Sequence, residues 1–297
     1  VNQWKPFRKV VESALGVHQD AWLPEFATQT LRQGKHTATG LTITDGSRTP
    51  GKVAIFATCY INYNEPGIGR DLMKILDHND IPWVVAEKEV CCGMPKLEQG
   101  DLEGVDRLKR INIPHLAKLA REGYAIVAGV PSCTLMFKQE IPLMYPDDED
   151  VQAVKAAFWD PFDYFVARTK DGLMKTDFQS GLGTVSYQAP CHGRVQNIGK
   201  KTEEFLKMIP GTEVKTTERC SGHAGTYGVK KEFHETSMKI GKPVFRTMNE
   251  QQPDYISSDC PLGGHHIAQG IRENHNNEPS LAHPISLVAK AYGLREE

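Results

Sequence analysis

Seven cysteines stand in this chain, and six of them form two triplets in the same register. From Cys59 to Cys191 is 132 residues, from Cys91 to Cys220 is 129, and from Cys133 to Cys260 is 127. The grammar around them repeats as well. The middle station opens a short turn in both halves, Cys91-Cys92-Gly93 and then Cys220-Ser221-Gly222, and the third is followed two residues later by Leu135 or Leu262. A repeat of this length constrains the fold more than any single motif, because each copy must be one supersecondary unit built the same way.

The hydrophobic pattern of each copy supplies that unit. In the first, short β-like runs at 53–57, 83–86 and 126–130 alternate with helical stretches at 68–78 and 103–121. In the second, runs at 184–188, 213–217 and 255–258 alternate with helical stretches at 202–208, 237–250 and 264–272. Strands alternating with helices predict α/β architecture, with parallel sheets and crossover helices. The expected fold is a tandem of two similar lobes plus an N-terminal helical extension. All six stations then fall just beyond the carboxyl ends of strands, the edge where open α/β sheets place ligands. Cysteines far apart in sequence can thereby share one site.

The boundaries expected from composition are an N-terminal extension at 1–50, a first lobe at 51–146, a connector at 147–180 and a second lobe at 181–297. The acidic run Pro146-Asp147-Asp148-Glu149-Asp150 marks the end of the first lobe. The stretch 151–174, aromatic-rich and broken at Pro161, reads as a connecting helix. In the extension, Trp4, Phe7, Val11 and Leu15 share one helical face, with Lys5, Arg8 and Lys9 beside it. That helix is expected to pack on its own protein or on a partner subunit. The sharper alternative is peripheral contact with a membrane surface, since aromatic and basic residues together suit the lipid interface.

Charge and length exclude other classes. With 35 basic and 37 acidic side chains there is no cationic excess of the kind that nucleic-acid binders use to neutralise phosphates. No run approaches the ~20 apolar residues of a bilayer span, and the first residues lack the segments of a signal peptide. The expectation is a soluble cytoplasmic protein, or one peripheral on the inner membrane face. In such a compartment, clustered cysteines serve metal binding or redox chemistry before structural disulfides, and an odd number leaves one unpaired in any disulfide framework.

Cys59, Cys91, Cys92 and Cys133 make a four-thiolate set, which suits zinc or an iron–sulfur cluster. Adjacent ligands such as Cys91-Cys92 are unusual for zinc, whose paired ligands stand two to four residues apart, and this favours iron. Holding both side chains requires a contorted turn, which Gly93 permits. The second half offers Cys191, Cys220 and Cys260, with Ser221 where Cys92 would stand. The fourth ligand is sought among the neighbouring histidines, His192, His223, His265 and His266, with His192 and His223 first because their loops already carry a cysteine; Ser221 Oγ is a weaker candidate. No residue is assigned a catalytic role. Two other readings stay open: a zinc-stabilised scaffold that carries no electrons, and a thiol enzyme in which an activated Cys92 attacks a disulfide.

The combination Ala57-Thr58-Cys59-Tyr60, Asn62-Tyr63-Asn64, Cys91-Cys92-Gly93, Gly225-Thr226-Tyr227-Gly228, Lys230-Lys231-Glu232 and His283-Pro284-Ile285 resembles the CCG-type cysteine-rich domain family. That family includes the B component of heterodisulfide reductase and the C component of anaerobic glycerol-3-phosphate dehydrogenase. The resemblance runs from about Lys52 to the C-terminus. It implies an iron–sulfur electron-transfer subunit of an oxidoreductase complex, with at least one [4Fe–4S] cluster and zinc as an option in one lobe. It also implies partners: a flavoprotein or quinone-linked donor, a ferredoxin-like subunit, and a substrate-bearing subunit. The Cys220-Ser221-Gly222-His223 variant resembles iron–sulfur proteins associated with rubrerythrins, which adds a rubrerythrin-like partner. The family pattern per repeat is a cysteine, then Cys-Cys-Gly, then Cys-x-x-Cys, and this chain departs from it at Met136, Ser221 and Gly263. A five-cysteine repeat of the family can carry a noncubane four-iron cluster. Four cysteines imply an ordinary cluster or zinc, and the three-cysteine second half tells against heterodisulfide chemistry. For the ferredoxin-like region that relatives often carry ahead of the tandem, the expectation is either a naturally short version of the chain or ferredoxin clusters on another subunit or on a removed segment.

Overall fold

The computed structural model describes residues 5–34, 36–40 and 42–295. It contains two parallel sheets that repeat one topology. In the first, β1 (Val53–Ile55) lies between β2 (Trp83–Val85) and β3 (Ala125–Val127), and β4 (Phe158–Trp159) pairs with the outer side of β3. In the second, β5 (Gly183–Gln188) lies between β6 (Thr212–Thr217) and β7 (Tyr255–Ser257). The first strand of each repeat is therefore central, with the second and third on either side. The expected α/β tandem with parallel sheets is the architecture found.

The first sheet shows why such strands read as continuous apolar runs. Val53, Ala54, Ile55, Ala125, Ile126 and Val127 are all buried, as a parallel strand covered on both faces by crossover helices requires. One flanking helix, Pro66–His78, begins with proline at its first position, where the missing N–H costs nothing. Another, Leu102–Arg121, starts on Asp101, whose carboxylate accepts the Gly104 N–H at 2.8 Å, and ends with Lys118 and Arg121 beside its free carbonyls. Phe56, Phe137 and Phe158 pack at the core, with ring centroids 5.1 Å (Phe56 to Phe137) and 4.9 Å (Phe137 to Phe158) apart.

The chain forms two compact units that are not contiguous in sequence. The unit around the first sheet comprises 27–181, 192–210 and 284–297; the unit around the second comprises 1–26, 182–191 and 211–283. This differs from the linear boundaries for a packing reason. The helix Pro284–Ala291 is buried at almost every position, and its partner is Pro66–His78, with Ser286 Oγ donating to Asp71 at 2.6 Å. The helix Lys201–Leu206 likewise packs on Pro161–Lys170 through Phe205, Phe162 and Phe165. The segment expected as a connector is itself part of the first unit: it folds as Glu149–Ala157, then β4, then Pro161–Lys170.

The N-terminal helix Lys5–Leu15 belongs to the second unit. Trp4 of the expected apolar face lies outside the described residues. Of the rest, Leu15 is 73% exposed and Phe7 36% exposed. What fastens the segment instead is the buried Arg8, whose guanidinium donates to the carbonyls of Gln19 and His18 at 2.8 Å each. The strap that follows is held by His18 N–H to Val229 O at 2.9 Å and Lys231 N–H to Gly16 O at 2.7 Å. Among the described residues, no helix is long and apolar enough to cross a membrane.

Candidate functional site

In the first unit three loops leave the carboxyl ends of β1, β2 and β3 and carry Cys59, Cys91-Cys92 and Cys133. Each loop is bent by a particular residue. Thr58 precedes Cys59 at φ 57, ψ 157, a region that glycine alone occupies without strain, and it is held there as the cap of the short helix Cys59–Tyr63, its hydroxyl accepting the Ile61 N–H at 3.1 Å. Gly93 follows Cys92 at φ 101 and opens the helix Met94–Glu98, so the chain can reverse directly after two adjacent cysteines. Cys133 sits in the helix Pro131–Leu135, which runs on into a π-helical turn at Met136–Glu140. Such wide turns interrupt helices most often at functional sites.

The four thiols meet. Cys59 contacts Cys91, Cys91 contacts Cys92, and Cys92 contacts Cys133 through sulfur–sulfur hydrogen bonds. The chain of sulfurs runs from an exposed end at Cys59, through half-buried Cys91, to Cys92 and Cys133, each 4% exposed. Cys91 is the most acidic thiol: bonds from Cys59 and Cys92 lower its pKa, while Cys59 is raised by its bond to Cys91 and by burial, and Cys92 first by its bond to Cys133, then by its bond to Cys91 and by burial. Among the described residues, no three Cys, His, Asp or Glu side chains surround one point as a single bound ion would require. The sulfurs pair in sequence, each with its neighbour. The donor set, four soft sulfurs from three loops, is the one that iron–sulfur clusters use.

Two further residues shape this centre: Glu89, which has no signature in the sequence, and Met136, which the family pattern already marks as a departure. Glu89 lies beneath the loops, its Oε1 accepting the Ala57 N–H at 2.7 Å and pairing with Arg32 at 2.6 Å, while its Oε2 is buried without a partner. Burial pushes this carboxyl up to about 7, against the pull of Arg32. It joins the loop after β1 to the loop after β2. Met136, fully buried at a family cysteine position, places its methyl 3.3 Å from where a Cβ on Gly93 would stand.

In the second unit Cys191, Cys220 and Cys260 follow β5, β6 and β7 in the same manner. The Cys220 sulfur accepts the Gly222 N–H at 3.3 Å, and the Cys260 sulfur, capping the helix Pro261–His275, accepts the Gly263 N–H at 3.4 Å. Burial raises the Cys260 thiol to about 11, and the nearby Cys191 adds to the shift. The two family positions replaced here face each other: a Cβ on Gly263 would lie 3.4 Å from Ser221 Oγ and 3.5 Å from the Cys260 sulfur.

The histidines separate clearly. His223 is 6% exposed, its Nε2 has no hydrogen-bond partner among the described residues, and burial lowers it to about 4, so it is a neutral imidazole with a nitrogen to spare. His266 lies 5.7 Å from it, ring to ring, with Nε2 3.2 Å from Ser237 Oγ. His265 stacks on Trp22 at 3.9 Å. His192 falls in the first unit, its Nε2 3.8 Å from Glu98 Oε1.

Two parallel sheets of the same strand order, each gathering cysteines at its carboxyl edge, define a tandem cysteine-rich redox or metal protein. The family model described as "Cysteine-rich domain" (CCG) matches twice, over residues 53–138 and 185–268, and the chain belongs to that family. Among curated relatives, it is 28% identical over 296 residues to the C component of the anaerobic glycerol-3-phosphate dehydrogenase of Escherichia coli, covering 97% of this chain and 70% of that protein. It is 24% identical over 275 residues to the B component of the CoM/CoB fumarate reductase of Methanothermobacter marburgensis, covering 91% of this chain and 52% of that protein. It is 26% identical over 215 residues to lactate utilization protein A of Bacillus cytotoxicus, covering 70% of this chain and 87% of that protein.

Proposed function

We propose that Cys59, Cys91, Cys92 and Cys133 hold a [4Fe–4S] cluster, and that Cys191, Cys220 and Cys260 hold a second metal, zinc or iron, with a histidine as fourth ligand. The chain is an iron–sulfur electron-transfer subunit of an oxidoreductase complex, and its partners are other subunits of that complex. Electrons pass from a flavin- or quinone-linked partner through the cluster to a substrate-bearing subunit; a ferredoxin-like or rubrerythrin-like protein is the alternative partner.

The observation that carries this reading is the continuous run of four sulfurs drawn from three loops at one sheet edge. The cluster, when bound, supplies one-electron chemistry. The protein's own contribution is to deliver four thiolates, bury two of them, and hold the loops with Glu89, Arg32 and Gly93. Burial and hydrogen bonds to sulfur then set the potential. No acid–base residue is required.

For the second site the unpartnered, neutral His223 is favoured over His192, which is engaged by Glu98. Three thiolates and an imidazole suit zinc as well as iron. Peripheral membrane contact through the N-terminal helix, the alternative to packing on a partner subunit, draws its support from the exposed Phe7 and Leu15. Metal analysis of anaerobically purified protein tests the proposal: iron and sulfide bound in a manner lost on Cys92→Ser supports it, and zinc without iron overturns the electron-transfer reading.

A further inference from the structure

Cys59 is gripped on both sides by one residue that lies outside the repeats. The family match begins at residue 53, and the 3-10 turn Leu31–Gln33 precedes it. That turn is firmly set. Leu31 is fully buried, the Thr30 hydroxyl accepts the Gln33 N–H at 3.3 Å, and the Gln33 side chain accepts the Thr30 N–H at 2.9 Å. From this base Arg32 sends donors to the cysteine loops in two directions. Its guanidinium pairs with Glu89 Oε1 at 2.6 Å and donates to the Ala86 carbonyl, both in the loop that carries Cys91. The same Glu89 oxygen accepts the Ala57 N–H at 2.7 Å, just ahead of Thr58 and Cys59. In the other direction the Arg32 backbone N–H donates to Asn62 Oδ1 at 3.1 Å, in the helix that Cys59 opens, and Asn62 is itself buried.

Between the two grips stands Thr58. A β-branched residue at φ 57, ψ 157 is strained, and such strain persists only where the surroundings over-determine it. The bond from the Ile61 N–H to the Thr58 hydroxyl is local: it shapes the first turn of the helix Cys59–Tyr63 without tying that turn to anything else. The Arg32 contacts do tie it, since they fix Ala57 before the strained step and Asn62 after it to a turn rooted in the core by Leu31. A guanidinium suits this task because its planar fork serves two acceptors at once, where a lysine supplies a single point charge.

We propose that Arg32 is the positioning residue for Cys59. It holds the strained Thr58-Cys59 step so that the Cys59 thiol stays on Cys91; without it Thr58 relaxes and Cys59 leaves the run of sulfurs. The consequence for a cluster rests on the four-thiolate reading above, whereas the clamp itself does not depend on what the thiols bind.

The test is the rate at which iodoacetamide alkylates Cys59 in the reduced, metal-free full chain, resolved by mass spectrometry, with Cys191 in the other unit as internal reference. Arg32→Met should speed Cys59 about tenfold or more, because a thiol released from its partner is more exposed and more readily ionised, and should leave Cys191 within about twofold. Arg32→Lys keeps a cation against Glu89 and should stay within about threefold of wild type. Asn62→Ala removes the second grip while keeping the guanidinium, and should speed Cys59 as well. Arg121→Met, which breaks only a surface pair with Asp150, should change nothing. A Cys59 rate unmoved by both Arg32→Met and Asn62→Ala overturns the proposal, and so does an equal rise at Cys59 and Cys191, which would give Arg32 a merely structural role. Iron and sulfide uptake by the same proteins is read separately. A wild-type chain that takes up no iron defeats the cluster reading and leaves the alkylation rates to decide the clamp; uptake by wild type that is lost in Arg32→Met and restored in Arg32→Lys supports both.

Discussion

Gly93→Ala isolates the backbone turn that lets two adjacent cysteines face one centre. Gly93 sits at φ 101, where an alanine pays about 1–2 kcal/mol for a left-handed conformation. The added Cβ would also lie 3.3 Å from the Met136 methyl, with its next neighbours, on Leu108 and Val105, at 3.8 Å. Because the close atom is the far end of a flexible thioether, crowding contributes little beside the backbone term. The expected loss is therefore about 2 kcal/mol, and Met136→Ala in the same chain should not restore it. Gly93→Asn should cost less than Gly93→Ala, since asparagine visits positive φ more readily. Urea denaturation of the reduced apoprotein measures the loss, and iron and sulfide uptake on reconstitution measures the consequence for the site. A neutral Gly93→Ala, or a full rescue by Met136→Ala, would refute the backbone argument and place the constraint in packing.

Three further outcomes follow from the same structure. Phe137→Ala, at a ring 1% exposed and in contact with Phe56 and Phe158, should cost about 3–5 kcal/mol by urea denaturation, whereas Phe137→Leu should cost clearly less. Gly263→Cys adds a thiol whose Cβ meets only ordinary contacts, so stability should change by less than about 1 kcal/mol while cobalt(II) titration shows a tighter, more thiolate-rich site; an unchanged cobalt spectrum would contradict it. Asp160 is raised to about 6 by burial, against about 3.9 in the unfolded chain. A carboxyl whose folded pKa is raised contributes stability that is full below the unfolded value and is lost as pH rises through the folded value. Wild type should thus lose on the order of 2–3 kcal/mol relative to Asp160→Asn between pH 4 and pH 7. Parallel stability–pH curves for the two proteins would contradict that.

Much of the architecture is legible from periodicity because each repeat is locally consistent. The runs around Val53 and Ile126 are short and apolar between turn signals, as buried parallel strands are, the run around Tyr187 is β-branched and aromatic, and the cysteine register brings the loops to one edge. What escaped sequence reading is decided by tertiary contact. Phe158-Trp159 looks like part of a helix, and only pairing with β3 makes it a strand. The linear domain boundaries failed to separate the units because Pro284–Ala291 finds its apolar partner in Pro66–His78, more than two hundred residues away. Arg8 reads as the polar flank of an amphipathic helix, yet it is the anchor, because three carbonyls of the following turn converge on its guanidinium. A single buried carboxylate such as Glu89 carries no periodic signal at all. The repeated cysteines were visible, but which histidine has a free nitrogen depends on hydrogen bonds that no spacing encodes.

The central claim is that the two lobes are unequal, four thiols in the first and three with an imidazole in the second. Iron, acid-labile sulfide and zinc should be quantified on anaerobically purified protein, with EPR of the dithionite-reduced sample and of Cys92→Ser and Cys260→Ser variants. The account predicts about four irons and four sulfides per chain in one cluster. It further predicts a single reduced-cluster signal abolished by Cys92→Ser and retained in Cys260→Ser, whose loss is confined to the second metal. Zinc without iron, or a cluster signal that survives Cys92→Ser and disappears with Cys260→Ser, would contradict it.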